Sequence, residues 1–85
     1  MLVQVTSQHI ASAKPLPSYS PVALALQELG YANASVTHRY AYFDDKCYPL
    51  PEIAVQNEIK FDFLAKSGTV QGEVLEQIAS YTFEL

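Results

Sequence analysis

The densest run of apolar side chains in this sequence lies within residues 21–29. Five consecutive apolar residues from Val22 to Leu26 leave almost no polar face, so a helix here has to be covered on several sides. Ser20 suits the N-cap, Pro21 suits the first helical position, and Gly30 suits the left-handed position that follows a helix. We therefore predict a buried helix over 21–29 that marks the core.

Helical spacing recurs near residues 52–66. Pro51 and Glu52 favour a helix start, and Gly68 suits its end. The apolar row of this helix, at i, i+4 and i+8, consists of Val55, Ile59 and Phe63.

A third helix is predicted near 70–79, with Thr69 as its cap. Its apolar positions are Val70, Val74 and Ile78, although Gly72 lowers the helix propensity of the stretch. Thr6 likewise suits the cap of a brief helical turn over Ser7–Ala11.

Extended segments are predicted at 2–5, 34–43, 46–50 and 81–85, from β-branched runs and alternating polarity. In the long strand 34–43, the more apolar face is expected toward the core. That face carries Ala34, Val36, His38, Tyr40 and Tyr42. Asp44-Asp45 marks a turn that makes a hairpin with the following strand. In the tail, Tyr81, Phe83 and Leu85 are expected inward.

The order of these elements predicts an α+β fold made of one domain over 1–85. We expect a three- to four-stranded sheet covered on one face by the helices. The terminal strands are expected in the same sheet as the others, because an apolar strand at each end needs a partner. Eighty-five residues are few for a stable core, which leaves a homodimer open.

Charge and composition narrow the class of partner. The chain carries a net charge of −4 and no two adjacent basic residues, so it lacks the basic stripe that nucleic-acid binding needs. No apolar run approaches the ~20 residues that span a bilayer, and the first residues do not resemble a signal peptide. A single Cys47 cannot form a disulfide within the chain, so we expect a protein of the reducing cytoplasm.

Candidate reactive residues are few. His9, His38 and Cys47 lack the paired spacing of a zinc site. If Asp44-Asp45 forms a two-residue loop, Cys47 lies opposite Tyr42, and His38 is then ~13 Å further along the strand, too far for a nucleophile and its base. We expect no enzyme activity, no metal and no cofactor.

Binding is the remaining class of function. Tyrosines cluster in the middle third of the chain, and Tyr and Arg carry much of the energy of protein interfaces. The candidate binding residues are Arg39, Tyr40, Tyr42, Asp44, Asp45 and Tyr48. The alternatives are that Tyr40 and Tyr42 pack beneath the helices and that the two aspartates form only a solvated turn.

Several short motifs resemble a group of small proteins of tailed phages and prophages. They are Val-Thr-Ser-Gln-His-Ile at 5–10, Pro-Val-Ala-Leu-Ala-Leu at 21–26, Ala-Ser-Val at 34–36, Leu-Pro-Glu at 50–52 and the closing Tyr-Thr-Phe-Glu-Leu. Ser20 stands where the group often has Cys, and 71–80 resembles an insertion. The resemblance implies an accessory protein that binds host components, and it transfers no functional residue.

The sequence therefore favours a non-enzymatic phage-type accessory protein that binds a host or defence-system protein. Two alternatives stay open: a binder of a small ligand such as a signalling nucleotide, and a minor structural or assembly protein of the virion.

Overall fold

The chain contains both helices and antiparallel strands, as expected for the α+β class. The computed structural model describes all residues, 1–85. Its elements are β1 (Leu2–Val5), α1 (Ser7–Ser12), α2 (Pro21–Glu28), β2 (Ser35–Val36), β3 (Tyr40–Phe43), β4 (Lys46–Pro49), α3 (Glu52–Lys66), α4 (Gln71–Gln77) and β5 (Tyr81–Glu84). No helix is both long enough and apolar enough to cross a membrane.

The strands form two sheets, which corrects the expectation of one. β1 pairs with β5 in a two-stranded sheet, while β2, β3 and β4 form a three-stranded sheet in that order. The outer edge of β2 is occupied, because the Val36 N–H donates to the Pro17 carbonyl over 2.9 Å. On the outer edge of β4, Pro49 offers no N–H. The terminal strands therefore pair with each other.

The predicted strand 34–43 is wrong as a single element, because the chain reverses within it. Ala34 and Val36 are buried, and so are Ala41 and Phe43. A continuous strand cannot bury both sets, since odd and even positions point to opposite faces. A turn at 38–39 resolves this conflict and lets β2 pair antiparallel with β3. As a result Tyr40, Tyr42 and His38 are exposed rather than packed in the core.

The Asp44-Asp45 turn is confirmed as a two-residue hairpin loop, with Tyr42 opposite Cys47. Both aspartates have positive φ, 54° and 59°. These angles are typical of a type I′ turn, which favours Asn or Gly because other side chains are strained there.

Replacing Asp45 by glycine is expected to stabilise the protein by about 0.5–1 kcal/mol, since the strain of the left-handed conformation is relieved. Chemical denaturation measures this change. Lys46→Gly, in the adjacent strand, is the matched control and should destabilise. A loss of stability in Asp45→Gly would contradict the turn assignment.

The predicted buried helix is confirmed as α2. The Ser20 hydroxyl accepts a hydrogen bond from the Ala23 N–H at 3.2 Å, and Val22 and Leu26 are fully buried. At the other end Gly30 has φ of 110°, and the Tyr31 N–H donates to the Leu26 carbonyl in a Schellman arrangement.

Helix α3 is confirmed at 52–66, but its apolar row does not lie on one face. Val55 is buried, whereas Ile59 and Phe63 are exposed, Phe63 by 70%. Each i+4 step overshoots a full turn, so the row rotates by about 80° between Val55 and Phe63. The buried positions are Ala54, Val55, Glu58, Phe61 and Leu64.

Helix α4 starts later than predicted, and Thr69 does not cap it. Gly68 has φ of 78°, and the Thr69 N–H donates to the Leu64 carbonyl at the end of α3. Val70 stands at the N-cap without a side-chain bond. Thr6 does cap α1, where its hydroxyl accepts from the His9 N–H.

Candidate functional site

The exposed side of the β3–β4 hairpin carries most of the predicted binding residues. Tyr40 and Tyr42 are 43% and 40% exposed, and Cys47 lies directly across from Tyr42. Arg39 is exposed at one end of β3, and Asp44-Asp45 is exposed at the other. We call these residues the tyrosine face: Arg39, Tyr40, Tyr42, Asp44, Asp45 and Cys47.

Tyr48 lies on the opposite side of the hairpin from Tyr40 and Tyr42. It is half-buried and stacks on Phe43, with ring centroids 4.5 Å apart. Phe43 in turn lies 4.5 Å from the ring of Tyr31. This aromatic packing connects the hairpin to the core, opposite the tyrosine face.

A groove of about 650 Å³ lies beside the hairpin tip. It is bounded by Tyr42, Asp44 and Asp45 on one side and by the loop 30–33 on the other. Its charged side chains are the two aspartates and Lys46, so the local balance is acidic. Electrostatics here favour a cationic group over a phosphate.

A second depression, of about 230 Å³, has Glu58 in its lining, and sequence reasoning missed it. We call it the Glu58 cleft. Its polar lining consists of Ser20, Thr37, His38, Glu58, Asp62 and Lys66. The available signal was helical spacing: Ala54, Phe61 and Leu64 share a helix face with position 58, where an apolar side chain is the norm.

Glu58 is 3% exposed and holds the start of α2. One carboxylate oxygen, Oε1, accepts the Val22 N–H at 2.8 Å, which satisfies a buried backbone donor of the first helical turn. Burial raises the pKa of Glu58 to about 7, partly offset by the Val22 N–H and the Ser20 hydroxyl. The negative charge of Asp62 adds to the increase. The carboxyl therefore takes up a proton at a pH well above that of an ordinary glutamate.

Asp62 connects the Glu58 cleft to the surface of α3. Its Oδ2 lies 3.4 Å from His38 Nε2 and 3.0 Å from Lys66 Nζ. Ser20, His38 and Asp62 are the residue types of a hydrolytic triad, which requires a hydrogen bond between the serine and the histidine. Here the Ser20 hydroxyl instead caps α2 and faces Glu58. These groups satisfy one another, as in a structural polar network.

The Tyr81 hydroxyl is buried without a hydrogen-bond partner. Burial raises the pKa of Tyr81, and the charge of Glu58 raises it further. A buried hydroxyl without a partner costs about 1–3 kcal/mol.

Tyr81→Phe is therefore expected to raise the free energy of unfolding by about 1 kcal/mol or more. Urea denaturation of both proteins at the same pH measures the difference. Tyr42→Phe, on the exposed face, is the control and should be neutral. If Tyr81→Phe is destabilised, the hydroxyl makes a bond in solution and this assignment is wrong.

The other residues considered for chemistry lie apart. Cys47 lines the groove at the hairpin tip, whereas His38 lines the Glu58 cleft. His9 Nε2 lies 2.6 Å from Glu28 Oε2, and its Nδ1 accepts the Thr6 N–H. No group of three or more His, Cys, Asp or Glu side chains is arranged to hold a metal ion.

Comparison with protein-family models, with curated proteins and with solved structures gives no match for this chain.

Proposed function

We propose that this protein acts without catalysis, by binding another protein through the tyrosine face. The observation that carries the proposal is the outward exposure of Tyr40 and Tyr42 on a hairpin that packs on the core through Phe43 and Tyr48. Tyrosine buries a large area at low entropic cost and keeps a polar end, so exposed pairs of this kind are typical of interface centres. Arg39 and the two aspartates supply the polar rim.

The charge of the chain favours a partner with a basic surface. The net charge is −4, and Asp44-Asp45 stands at the tip of the hairpin. A lysine or arginine of the partner would meet these carboxylates in the adjacent groove, while the tyrosine rings cover its apolar surroundings. The resemblance to small phage proteins supports a further proposal, that the partner is a host or defence-system protein.

Affinity capture from a lysate of the bacterial host tests the proposal. The bait is used as the wild type, as Tyr40→Ala with Tyr42→Ala, and as Tyr19→Ala. Tyr19 is 50% exposed but lies outside the tyrosine face, so it is the matched control. We expect a protein retained by the wild type and by Tyr19→Ala and lost from the double variant. Equal retention by all baits, or no retained protein, would contradict the proposal.

The groove supports binding of a small ligand as a second candidate. Its volume of about 650 Å³ falls in the range of small-molecule sites. The acidic lining favours a cationic ligand over a signalling nucleotide. Thermal unfolding in the presence of amine and nucleotide panels decides, because a ligand at 100 times its dissociation constant adds about 2.7 kcal/mol. If none of the compounds changes the unfolding temperature, binding of those compounds is excluded.

A further inference from the structure

The β1–β5 sheet leaves a regular set of backbone groups without partners. Met1 and Leu85 bond to each other in both directions at 2.8 Å. Since bonded and non-bonded pairs alternate in an antiparallel ladder, Val3 bonds Phe83 and Val5 bonds Tyr81. The N–H and C=O groups of the intervening residues point outward at the two edges of the sheet, away from the partner strand. These residues are Leu2 and Gln4 on β1 and Thr82 and Glu84 on β5.

The three-stranded sheet is protected at both outer edges, whereas the β1–β5 sheet is not. The Pro17 carbonyl bonds the edge of β2, and Pro49 blocks the edge of β4. Neither β1 nor β5 contains proline. Natural sheets avoid unprotected edges because such edges pair with other strands.

The two edges of the β1–β5 sheet differ in how well the core covers them. The inward residues of β1, Val3 and Val5, are completely buried, and β1 packs closely against α2. On β5, Phe83 is buried but Tyr81 and Leu85 stay half-buried, and the extensive contacts of β5 are with β1 alone. Both edges carry free backbone groups, but only β5 also leaves half-buried apolar side chains beside its edge, which favours β5 as the edge that pairs.

We propose that a second copy of this chain pairs with β5 edge to edge, antiparallel about a two-fold axis at Phe83. The two-stranded sheets of both copies then form one continuous sheet in the order β1-β5-β5-β1. Thr82 lies opposite Glu84 of the second copy, so the outward N–H and C=O groups of both residues are matched.

Side chains along β5 suit this pairing. Tyr81 comes opposite Leu85 of the second copy, so two half-buried apolar side chains cover each other. The two Glu84 carboxylates do not face each other directly, because each lies opposite a threonine. Each is also paired with the Met1 ammonium of its own chain at 3.3 Å. Repulsion between the two Glu84 carboxylates therefore does not destabilise the centre of the dimer interface.

Sedimentation equilibrium from micromolar to millimolar concentration tests the proposal, with two matched proline variants. Thr82→Pro removes an outward N–H of β5 and leaves the β1–β5 ladder intact, and Gln4→Pro does the same on β1. We expect Gln4→Pro to dimerise like the wild type and Thr82→Pro to dimerise at least roughly 30-fold more weakly, because a hydrogen bond is lost from each copy. A wild type that is monomeric at millimolar concentration overturns the proposal, and so does a dimer that Thr82→Pro does not weaken.

Amide hydrogen exchange of the wild type provides a readout that does not depend on how the variants fold. With rising protein concentration, exchange at Thr82 and Glu84 should slow, while exchange at Leu2 and Gln4 should not change. Glu84→Pro, nearer the end of the strand, replaces Thr82→Pro if circular dichroism shows that the latter is unfolded. Slowing at Leu2 and Gln4 instead of β5 would contradict the assignment of the edge.

Discussion

Replacing Glu58 by glutamine will raise the free energy of unfolding above pH 7 by about 3 kcal/mol and will flatten its dependence on pH. The pKa of Glu58 is raised from 4.5 to about 7 in the folded protein, chiefly by burial. Its contribution to stability is therefore complete below pH 4.5, falls as the pH rises toward 7, and is level above that. Glutamine resembles the protonated acid and keeps an oxygen for the Val22 N–H.

Urea denaturation from pH 4 to pH 9 measures this effect. Glu76→Gln is the matched control, because Glu76 is exposed on α4, and it should follow the wild type at every pH. Glu58→Ala should instead be less stable than Glu58→Gln, since it leaves the Val22 N–H buried without an acceptor. A buried, protonatable Glu58 would be contradicted if the wild type gained stability between pH 5 and pH 7 and the stability of Glu58→Gln changed with pH in the same way.

Removing both exposed tyrosine rings of β3 will weaken binding of the proposed partner by about 3 kcal/mol, or roughly 100-fold in dissociation constant. Tyr40 and Tyr42 lie on the exposed side of the hairpin, so Tyr40→Ala with Tyr42→Ala removes contact area without opening the core. Calorimetric titration with the captured partner measures the loss, and thermal unfolding checks that the fold is intact.

Tyr19→Ala serves as the control for this titration, because it removes a ring of similar exposure elsewhere. Its affinity should match the wild type within a factor of about 3, as is usual for residues outside an interface. Asp44→Asn with Asp45→Asn should lower the association rate and its dependence on salt, since these carboxylates stand on the rim. Unchanged affinity in the tyrosine variant would place the interface elsewhere.

Local signals in the sequence predicted much of the fold. Ser20 and Gly30 bound α2 as expected, and the two-residue turn at Asp44-Asp45 sets Cys47 opposite Tyr42. These features depend on neighbouring residues along the chain, so a single sequence contains them. The pairing of β1 with β5 depends on contacts across the whole chain, and local patterns do not determine it.

Strand 34–43 shows where alternation misleads. Its residues alternate as in a single strand, but the buried residues are Ala34 and Val36 at even positions and Ala41 and Phe43 at odd positions. Both pairs can be buried only if the chain reverses direction between them. The turn at 38–39 contains no Gly, Asn or Pro that would have indicated this reversal. The error also reversed the predicted orientation of the tyrosines that form the candidate site.

Glu58 shows the limit of residue type as a guide. A glutamate in a helix is normally solvated, and here it occupies a core-facing position because it bonds the N–H of Val22, 36 residues away along the chain. That partner is set by how α3 crosses the start of α2.

Hydrogen exchange of the free and partner-bound chain tests most directly where this protein makes contact. We expect binding to slow exchange over 39–48, the segment of the tyrosine face, and to leave α3 near Glu58 and Asp62 unchanged. Slowing confined to α3 and the Glu58 cleft, with 39–48 unaffected, would show that contact is made there and not at the hairpin.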